Sequence, residues 1–371
     1  MKKEILKRVC TMGLVGAMAV GTMAGCGSSG ESGSDSSGDM VTVNVVTPTA
    51  AASLDLAWLY AADGMGYYAD EGIKLNIIES TDGSDPKILA SGQADFGGFS
   101  PSAGMSSVDS GATNVLAVAN IVSANHFGLA YNKSSGISSW ADVEGQNIGF
   151  LADTGSVIYN PIIAAAGVDP STVTYVNYGT SEYEALDSGQ VNLMGTWLSE
   201  LYMCEGMGYD WGYLAGDEVL PQIANSLWVN KEFAEKNPDL VKKFVKATAK
   251  GVYFMDCNPE AVADIILERY PSIDMSWDGA VGSINGNLSA ILGQTEEERE
   301  AIISSDSLCK FDMDKVQSTM QNLYDGGATA TLYTAEDYYT NDYIPGAIDY
   351  DAVKADADSY EFKSDIYKKA H

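Results

Sequence analysis

Two stretches almost a hundred residues apart are near copies of each other: Leu89-Ala-Ser-Gly-Gln-Ala-Asp-Phe and Leu186-Asp-Ser-Gly-Gln-Val-Asn-Leu. In each, a helical pattern ends, Ser-Gly turns the chain and a short apolar strand begins. Glycine suits the left-handed residue that stops a helix. The lead-ins match as well, Gly72 before an apolar run at Lys74–Ile78 and Gly167 before one at Val173–Tyr178. One reading is chance recurrence of a common helix-turn-strand device. The reading that uses all of the matches is two lobes of the same α/β type.

The patterns around the copies agree with two lobes. Val41–Val46 is β-branched and stopped by Thr47-Pro48, as a strand requires. Leu54–Tyr68 carries apolar residues at helical spacing, Ala94–Phe96 and Val115–Ala119 read as short strands, and Pro86–Ala90 as a short helix. The same order recurs with strands at Asn147–Leu151 and Val191–Met194 and a helix at Ser156–Ala166. Alternating β-α-β units imply mostly parallel sheets covered on both faces. Lys242–Met255, Ala261–Arg269 and Thr295–Tyr324 read as helices. Thr329–Tyr350 reads as a Tyr-rich strap over one lobe.

Charge narrows the partners. Lys and Arg number 21 against 51 Asp and Glu, a formal charge of −30, and the arginines are Arg8, Arg269 and Arg299. Such a chain repels a phosphate backbone, so no nucleic-acid partner is expected. With two histidines and no C-x-x-C or H-E-x-x-H spacing, no metal and no cofactor is expected either.

The first 25 residues have a basic head (Lys2, Lys3, Lys7, Arg8), an uncharged Val/Ala/Met/Gly run and the sequence Ala24-Gly25-Cys26. This is a secretory signal pattern, and the Cys directly after Ala-Gly resembles a bacterial lipoprotein signal in which Cys26 is lipidated. Residues 26–39, almost wholly Gly, Ser, Glu and Asp, form a flexible tether that can bury no core. The expected division is therefore signal 1–25, tether 26–39, first lobe 40–126, second lobe 127–224, and a return to the first lobe at 225–371 with C-terminal helices and strap. The body would sit outside the cytoplasm as a monomer, held to the membrane through the lipid on Cys26.

Several segments, in order along the chain, resemble one family. Ala61–Leu75 is similar to the "A-x-x-x-G-Y-F-x-x-E-G-L-x-V" segment of ABC-importer solute-binding proteins of the nitrate, taurine, sulfonate and thiamine-pyrimidine-precursor branch. Leu89–Gly97, Gly136–Gly149, Ala185–Asn192, Asn230–Val245 and Tyr339–Pro345 resemble further segments of that branch. The resemblance implies a two-lobed periplasmic-binding-protein-like fold of type II, each lobe a mostly parallel sheet flanked by helices, with a ligand cleft between lobes. It implies capture of a small organic solute by lobe closure, with permease and ATPase subunits as partners. The cysteine-rich motif of eukaryotic pyrimidine-precursor synthases is absent, so synthase activity is not implied. With no G-x-S-x-G and His126 the only internal histidine, the expectation is a binding protein and not an enzyme. A secreted enzyme or a sensory lipoprotein on the same scaffold is the alternative.

Candidate ligand residues follow from topology, because open parallel sheets bind at the carboxyl ends of their strands. These ends offer Thr47, Ser100, Ser102, His126, Thr154, Gly155, Ser156, Tyr159, Tyr178 and Trp197. Thr154-Gly155-Ser156 opens a helix, so its hydroxyls and free N–H groups either cap that helix or meet a ligand. Ser100 and Ser102 have the same two readings. Trp197 either stacks on a flat ring or fills the core, and His126 either donates to a ligand or is structural. Glu182 and Glu200 could hold an amine, although helix carboxylates in so acidic a chain are commonly solvated. Asp63 and Asp85 read as surface. No Lys or Arg falls in these loops, which points to a neutral or cationic solute, a heterocycle flanked by aromatics, over a hard anion.

Overall fold

The computed structural model describes residues 40–150, 155–178, 182–346 and 348–371. The expected signal and tether, Cys26 and Thr154 lie outside the described residues.

The chain opens with β1 (Val41–Thr47), whose valines alternate between two buried faces: Val45 enters one apolar cluster and Val46 the other. A single 3-10 turn, Leu54–Leu56, leads into α1 (Ala57–Gly64) and α2 (Tyr67–Asp70). The helix expected over Leu54–Tyr68 is thus broken, because Gly66 takes φ 78° and reverses the chain between its two pieces. Next come β2 (Ile73–Glu79), α3 (Asp85–Ala90), β3 (Phe96–Phe99), α4 (Pro101–Asp109) and β4 (Val115–Asn120). The chain then crosses to a second sheet: β5 (Phe127–Asn132), β6 (Asn147–Gly149), α5 (Gly155–Ala165), β7 (Thr174–Val176), α6 (Glu182–Asp187), β8 (Leu193–Trp197), α7 (Leu198–Gly206) and β9 (Trp211–Ala215). It crosses back through β10 (Ser226–Asn230). The chain ends in α8 (Lys231–Lys236), α9 (Pro238–Cys257), α10 (Pro259–Arg269), α11 (Trp277–Leu292), α12 (Glu296–Ser304), α13 (Met313–Asp325), α14 (Tyr350–Asp358) and α15 (Asp365–Ala370).

The two sheets have the same plan. The first runs β2-β1-β3-β10-β4 and the second β7-β6-β8-β5-β9. In the first, β1 is parallel to β2 and β3, while β10 is antiparallel to β3 and β4. In the second, β6 is parallel to β7 and β8, while β5 is antiparallel to β8 and β9. Each sheet therefore has four co-directional strands and one reversed strand, and the reversed strand is the one that enters directly after a crossing. The fold is α/β and two-lobed, with helices on both sides of each sheet.

The near-copied turns occupy equivalent places. Gly92 (φ 77°) ends α3 before β3, and Gly189 (φ 73°) ends α6 before β8. Both strands begin about two residues later than their apolar patterns suggest, so Trp197 is the last residue of β8 and the N-cap of α7, not a loop residue.

The first sheet is sealed on one face by α1, α9 and α10, where Phe96 stacks on Phe244 with ring centroids 4.1 Å apart. The other face is covered by α3, α4 and α13 and by the strap, which joins the sheet edge through an Ala117–Tyr339 bridge and lays Tyr339 edge-on against Trp228 at 5.0 Å. In the second sheet, Leu129 and Leu193 face a cluster with Tyr159, Ile162 and Ile163, whereas Ala130 and Met194 face the cluster that continues into α11. The helical stretch expected over Thr295–Tyr324 is two helices, α12 and α13, separated by a loop in which Asp306 and Cys309 adopt positive φ.

Two features fix how the sheets are joined. The crossings, residues 121–126 and 216–225, bond to each other: Ile121 and Val122 both donate to the Asn225 carbonyl, and Ala224 donates back to Val122. The second feature is a glycine contact between α7 and α11. A Cβ on Gly286 would stand 2.4 Å from the Leu198 carbonyl oxygen, one on Gly282 2.2 Å from that of Tyr202, and one on Gly206 2.2 Å from that of Asp278. The two helices meet backbone to backbone at spacings no other residue allows.

Candidate functional site

The carboxyl end of β1 and the start of α7, on opposite sheets, enclose a cavity of about 310 Å³, within the size range of small-molecule sites. Its first wall is the small-residue loop Thr49–Ser53 with Leu54 and Asp55. Its second is Tyr183, Trp197, Ser199, Glu200 and Met203. Ile273, Met275 and Ser283 close it from α11 and the segment before it.

The first wall is held from behind. Thr47, fully buried, donates its hydroxyl to the Thr49 carbonyl at 3.1 Å. The Ala51 amide donates to Glu79 at 2.7 Å, and the Tyr60 hydroxyl donates to the Ala51 carbonyl at 2.7 Å. The Arg269 guanidinium lies over the Tyr60 ring and pairs with Asp63, so Asp63 is an ion-pair partner and not open surface. Ser53 caps the 3-10 turn by accepting from the Asp55 amide at 3.2 Å. That cap sets the Asp55 carboxyl facing the other wall.

Two carboxyl groups meet at the cavity, Asp55 from the segment after β1 of the first sheet and Glu200 from α7 after β8 of the second. Asp55 accepts from the Ser199 hydroxyl at 2.6 Å, a bond that spans the cleft. Burial raises its pKa above the ordinary carboxyl value, opposed by hydrogen bonds from Ser199, Trp197 and Ser53. Glu200, nine-tenths buried, accepts from the Tyr183 hydroxyl and from the Thr196 hydroxyl, each at 2.7 Å. Burial pushes its pKa up to about 7. The two hydroxyls pull it back only in part, and the charge of Asp55 adds to the rise. Among the described residues no Lys or Arg lines the cavity, so none of them answers these acids with a cation. Behind Tyr183 stand Tyr209 and Trp211, stacked at 4.7 Å, which brace its ring. The site is rich in acceptors and flanked by aromatics. It can hold hydrogen-bond donors or positive charge on a flat body.

Of the residues expected to bind, the cavity is lined by Trp197. Thr47 works behind the wall. Ser100 caps α4 by accepting from Ala103, and Ser102 sits half-buried in its first turn. Gly155 is buried where a Cβ would meet the Phe150 and Tyr175 rings, and Ser156 is half-buried beside it. Tyr159 is a core residue: it is fully buried, donates to the Thr196 carbonyl at 3.2 Å and packs edge-on against Phe150. Tyr178 packs half-buried against the main core. His126 stands in the first crossing with its ring edge-on to Phe127. Its Nε2 is buried without a hydrogen-bond partner among the described residues, and burial lowers its pKa to about 4.

Residue-type reasoning passed over Asp55, Tyr183 and Ser199 and set Glu200 among solvated carboxylates. The available signal was position: Glu200 lies three residues past the end of β8, and Asp55 lies in the turn that follows the loop after β1. Asp85 also differs from its surface reading. It is buried at the start of α3, and burial raises its pKa to about 6.

Comparison with solved structures identifies the fold. The alkanesulfonate-binding protein SsuA from Xanthomonas axonopodis pv. citri, bound to MOPS, matches with a TM-score of 0.57 over 82% of this chain and 99% of its own, at 12% identity. At that identity the match speaks for the fold alone, which is that of the periplasmic binding proteins. The family follows from sequence: a model described as NMT1/THI5 like matches residues 53–262, and the chain belongs to that family. The chain is 25% identical over 235 residues to a 4-amino-5-hydroxymethyl-2-methylpyrimidine phosphate synthase of Legionella pneumophila, covering 58% of this chain and 70% of that one. It is also 25% identical over 228 residues to the riboflavin-binding protein RibY of Chloroflexus aurantiacus, covering 60% of this chain and 65% of that relative, just under two thirds.

One expectation is overturned here. The sequence leads to the expectation that the chain is not an enzyme. Yet relatives from Legionella and several fungi carry the synthase name, and a binding protein stands beside them at the same identity. Relatives named as enzymes thus stand among those this chain resembles, and the expectation that it is not an enzyme does not hold.

Proposed function

We propose that this chain is the solute-binding component of an ABC importer, working outside the cytoplasm and tethered through a lipid on Cys26. In this reading residues 127–224 form the lobe that closes on 40–126 and 225–371, and permease and ATPase subunits receive the cargo. The solute is a small, flat organic molecule with hydrogen-bond donors or a positive charge, of the aminopyrimidine kind. The observation that carries this is that Asp55, after β1 of the first sheet, and Glu200, after β8 of the second, face one cavity with Trp197 and, among the described residues, no cationic side chain. Ligand charge on such a pair rewards the closed arrangement, which is the differential affinity that lobe closure needs. The names of the Legionella and Chloroflexus relatives, a pyrimidine phosphate synthase and a riboflavin-binding protein, both concern flat nitrogen heterocycles. A sulfonate or taurine-like solute, the other class raised by the family, would meet two acids and no base here.

The test is calorimetric titration of residues 40–371 with 4-amino-5-hydroxymethyl-2-methylpyrimidine, thiamine, riboflavin and taurine. The reading expects saturable binding of one of the heterocycles, weakened in Glu200→Gln, and none of taurine. Taurine binding alone would overturn the proposed solute class. A second reading, a pyrimidine phosphate synthase, is favoured by the relatives that bear that name. Formation of the pyrimidine phosphate by the purified chain would establish it.

A further inference from the structure

The loop that forms the first wall of the cleft cavity has few means of its own to hold a shape. Thr49–Ser53 reads Thr-Ala-Ala-Ala-Ser, and Ala50 and Ala52 are exposed. With so little apolar surface to bury, the loop depends on hydrogen bonds from behind. One of these reaches back to a second tyrosine. The Tyr60 hydroxyl donates to the Ala51 carbonyl at 2.7 Å, and the Tyr270 hydroxyl lies 2.9 Å from the same Tyr60 oxygen. A phenol has one hydrogen to donate. Tyr60 uses its own on Ala51, so Tyr270 is the donor of the second bond, and the hydroxyls run in series from Tyr270 through Tyr60 to the loop.

Both ends of this series stop one step short of the cavity. Ala51 does not line it, while Ala50 and Ala52 beside it do. Tyr270 does not line it either, but its carbonyl accepts from the Ile273 amide at 3.1 Å, closing the turn that brings Ile273 to the wall. The rings are fixed separately. Tyr60 is fully buried on α1, and Tyr270 stands edge-on to it with centroids 5.6 Å apart. The Arg269 guanidinium lies 4.8 Å from the first ring and 5.9 Å from the second, and Asp63 pairs with it there.

We infer that Tyr60 and Tyr270 are positioning residues for solute binding: their hydroxyl series locks the Thr49–Ser53 loop and the Tyr270–Ile273 turn into one arrangement before a solute arrives, and Arg269 keeps the two rings in register. The inference rests on the reading of this cavity as the solute site. Neither tyrosine touches the solute; each acts through the backbone it holds. When the series is cut, the loop samples other shapes, and apparent affinity falls with the fraction of molecules still competent to bind. The loss appears in association, because a solute already bound meets the same contacts as before.

Tyr60→Phe keeps the ring beneath Arg269 and removes the link. Without solute, amide hydrogen exchange is expected to accelerate by about fivefold or more at both Ala51 and Ile273, with the amides of α9 and α11 unchanged. In stopped-flow binding of 4-amino-5-hydroxymethyl-2-methylpyrimidine, the association rate is expected to fall by about the same factor while the dissociation rate stays within about twofold. Tyr270→Phe is expected to do the same to a smaller degree and to add nothing in a Tyr60→Phe background, because its hydroxyl acts through Tyr60. Should Tyr60→Phe not fold, Tyr270→Phe alone carries the exchange and rate measurements. Unchanged exchange, acceleration at Ala51 alone or across the whole protein, a faster dissociation in place of a slower association, or an independent further loss in the double variant would each overturn the assignment. If the wild type does not bind the pyrimidine, the proposed solute class fails, and exchange at Ala51 and Ile273 still decides whether the tyrosines hold the two walls as one.

Discussion

Gly286→Ala is a one-methyl test of how the lobes are held. The added Cβ would sit 2.4 Å from the Leu198 carbonyl oxygen, 2.6 Å from the Ser199 Cα and 2.7 Å from the Leu198 carbonyl carbon. All three are backbone atoms, so no rotamer change relieves the clash. Ordinary contact begins at 3.4 Å, so α11 and α7 must part by about 1 Å. Overpacking of this kind costs about 1–3 kcal/mol. Replacing glycine inside a helix returns at most about 1 kcal/mol of helix propensity. The net expectation is a loss of roughly 1–2 kcal/mol, seen as a fall in melting temperature of a few degrees. The same displacement moves Ser199 and Glu200 away from Asp55, so affinity for the best heterocycle should fall as well. The assay pairs a denaturant melt without ligand with a calorimetric titration. A variant that melts higher than the wild type, as an unobstructed helical Gly→Ala change would, refutes the close-contact argument. One that is destabilised but binds unchanged refutes the link between this contact and the cleft.

Glu200→Gln tests the buried acid by pH. Its pKa is raised from 4.5 to about 7, so the folded protein holds a proton that the unfolded chain has released, and wild-type stability should fall as pH rises through that window. The variant should fall less steeply than the wild type over this range, keeping only the slope that buried Asp55 and Asp85 contribute, as denaturant melts at pH 5, 6, 7 and 8 would read. Thiamine, a permanent cation, should bind the wild type more tightly from pH 6 to pH 8, by up to about tenfold as Glu200 ionises, and bind the variant with a flat profile. Trp197→Ala should cost about 1–3 kcal/mol of affinity with an unchanged melting temperature in the absence of ligand. A melt lowered with affinity preserved would instead make Trp197 a core residue. Cys26→Ser should move the protein out of the membrane fraction of expressing cells, and mass spectrometry of the native N-terminus should find lipid on Cys26.

Much of the fold was legible because it rests on local chemistry. The β-branched run at Val41–Val46, the paired Ser-Gly-Gln turns and the amphipathic pattern of Lys242–Met255 each name an element from a few neighbouring residues. The Leu54–Tyr68 helix was misread as unbroken because Gly66 costs little on paper, whereas its positive φ ends one helix and begins another. The site was legible only in outline. Strand ends marked the region, and Trp197 lies in it. Asp55 and Glu200 become distinctive only through burial and through partners supplied by the other lobe, such as Ser199 on Asp55, and no local pattern encodes those. Tyr159 shows the converse: its place near a strand end suggested the cleft, but helix phase turned it inward beneath β8.

The reversed strands have a consequence for the order in which this chain can be built. In the first sheet β3 and β4 are not neighbours, because β10 is wedged between them and bonds to both. Until residues 226–230 arrive, two strands of that sheet present unpaired backbone edges toward each other, and an open edge invites pairing with another chain. The second sheet has no such dependency, since all five of its strands lie in the continuous stretch from Phe127 to Ala215. A nascent or refolding chain can therefore complete its middle before its beginning. A nonsense mutation or proteolytic cut shortly before Ser226 would leave the second sheet whole and the first permanently open, a species inclined to aggregate even though most of its length is present.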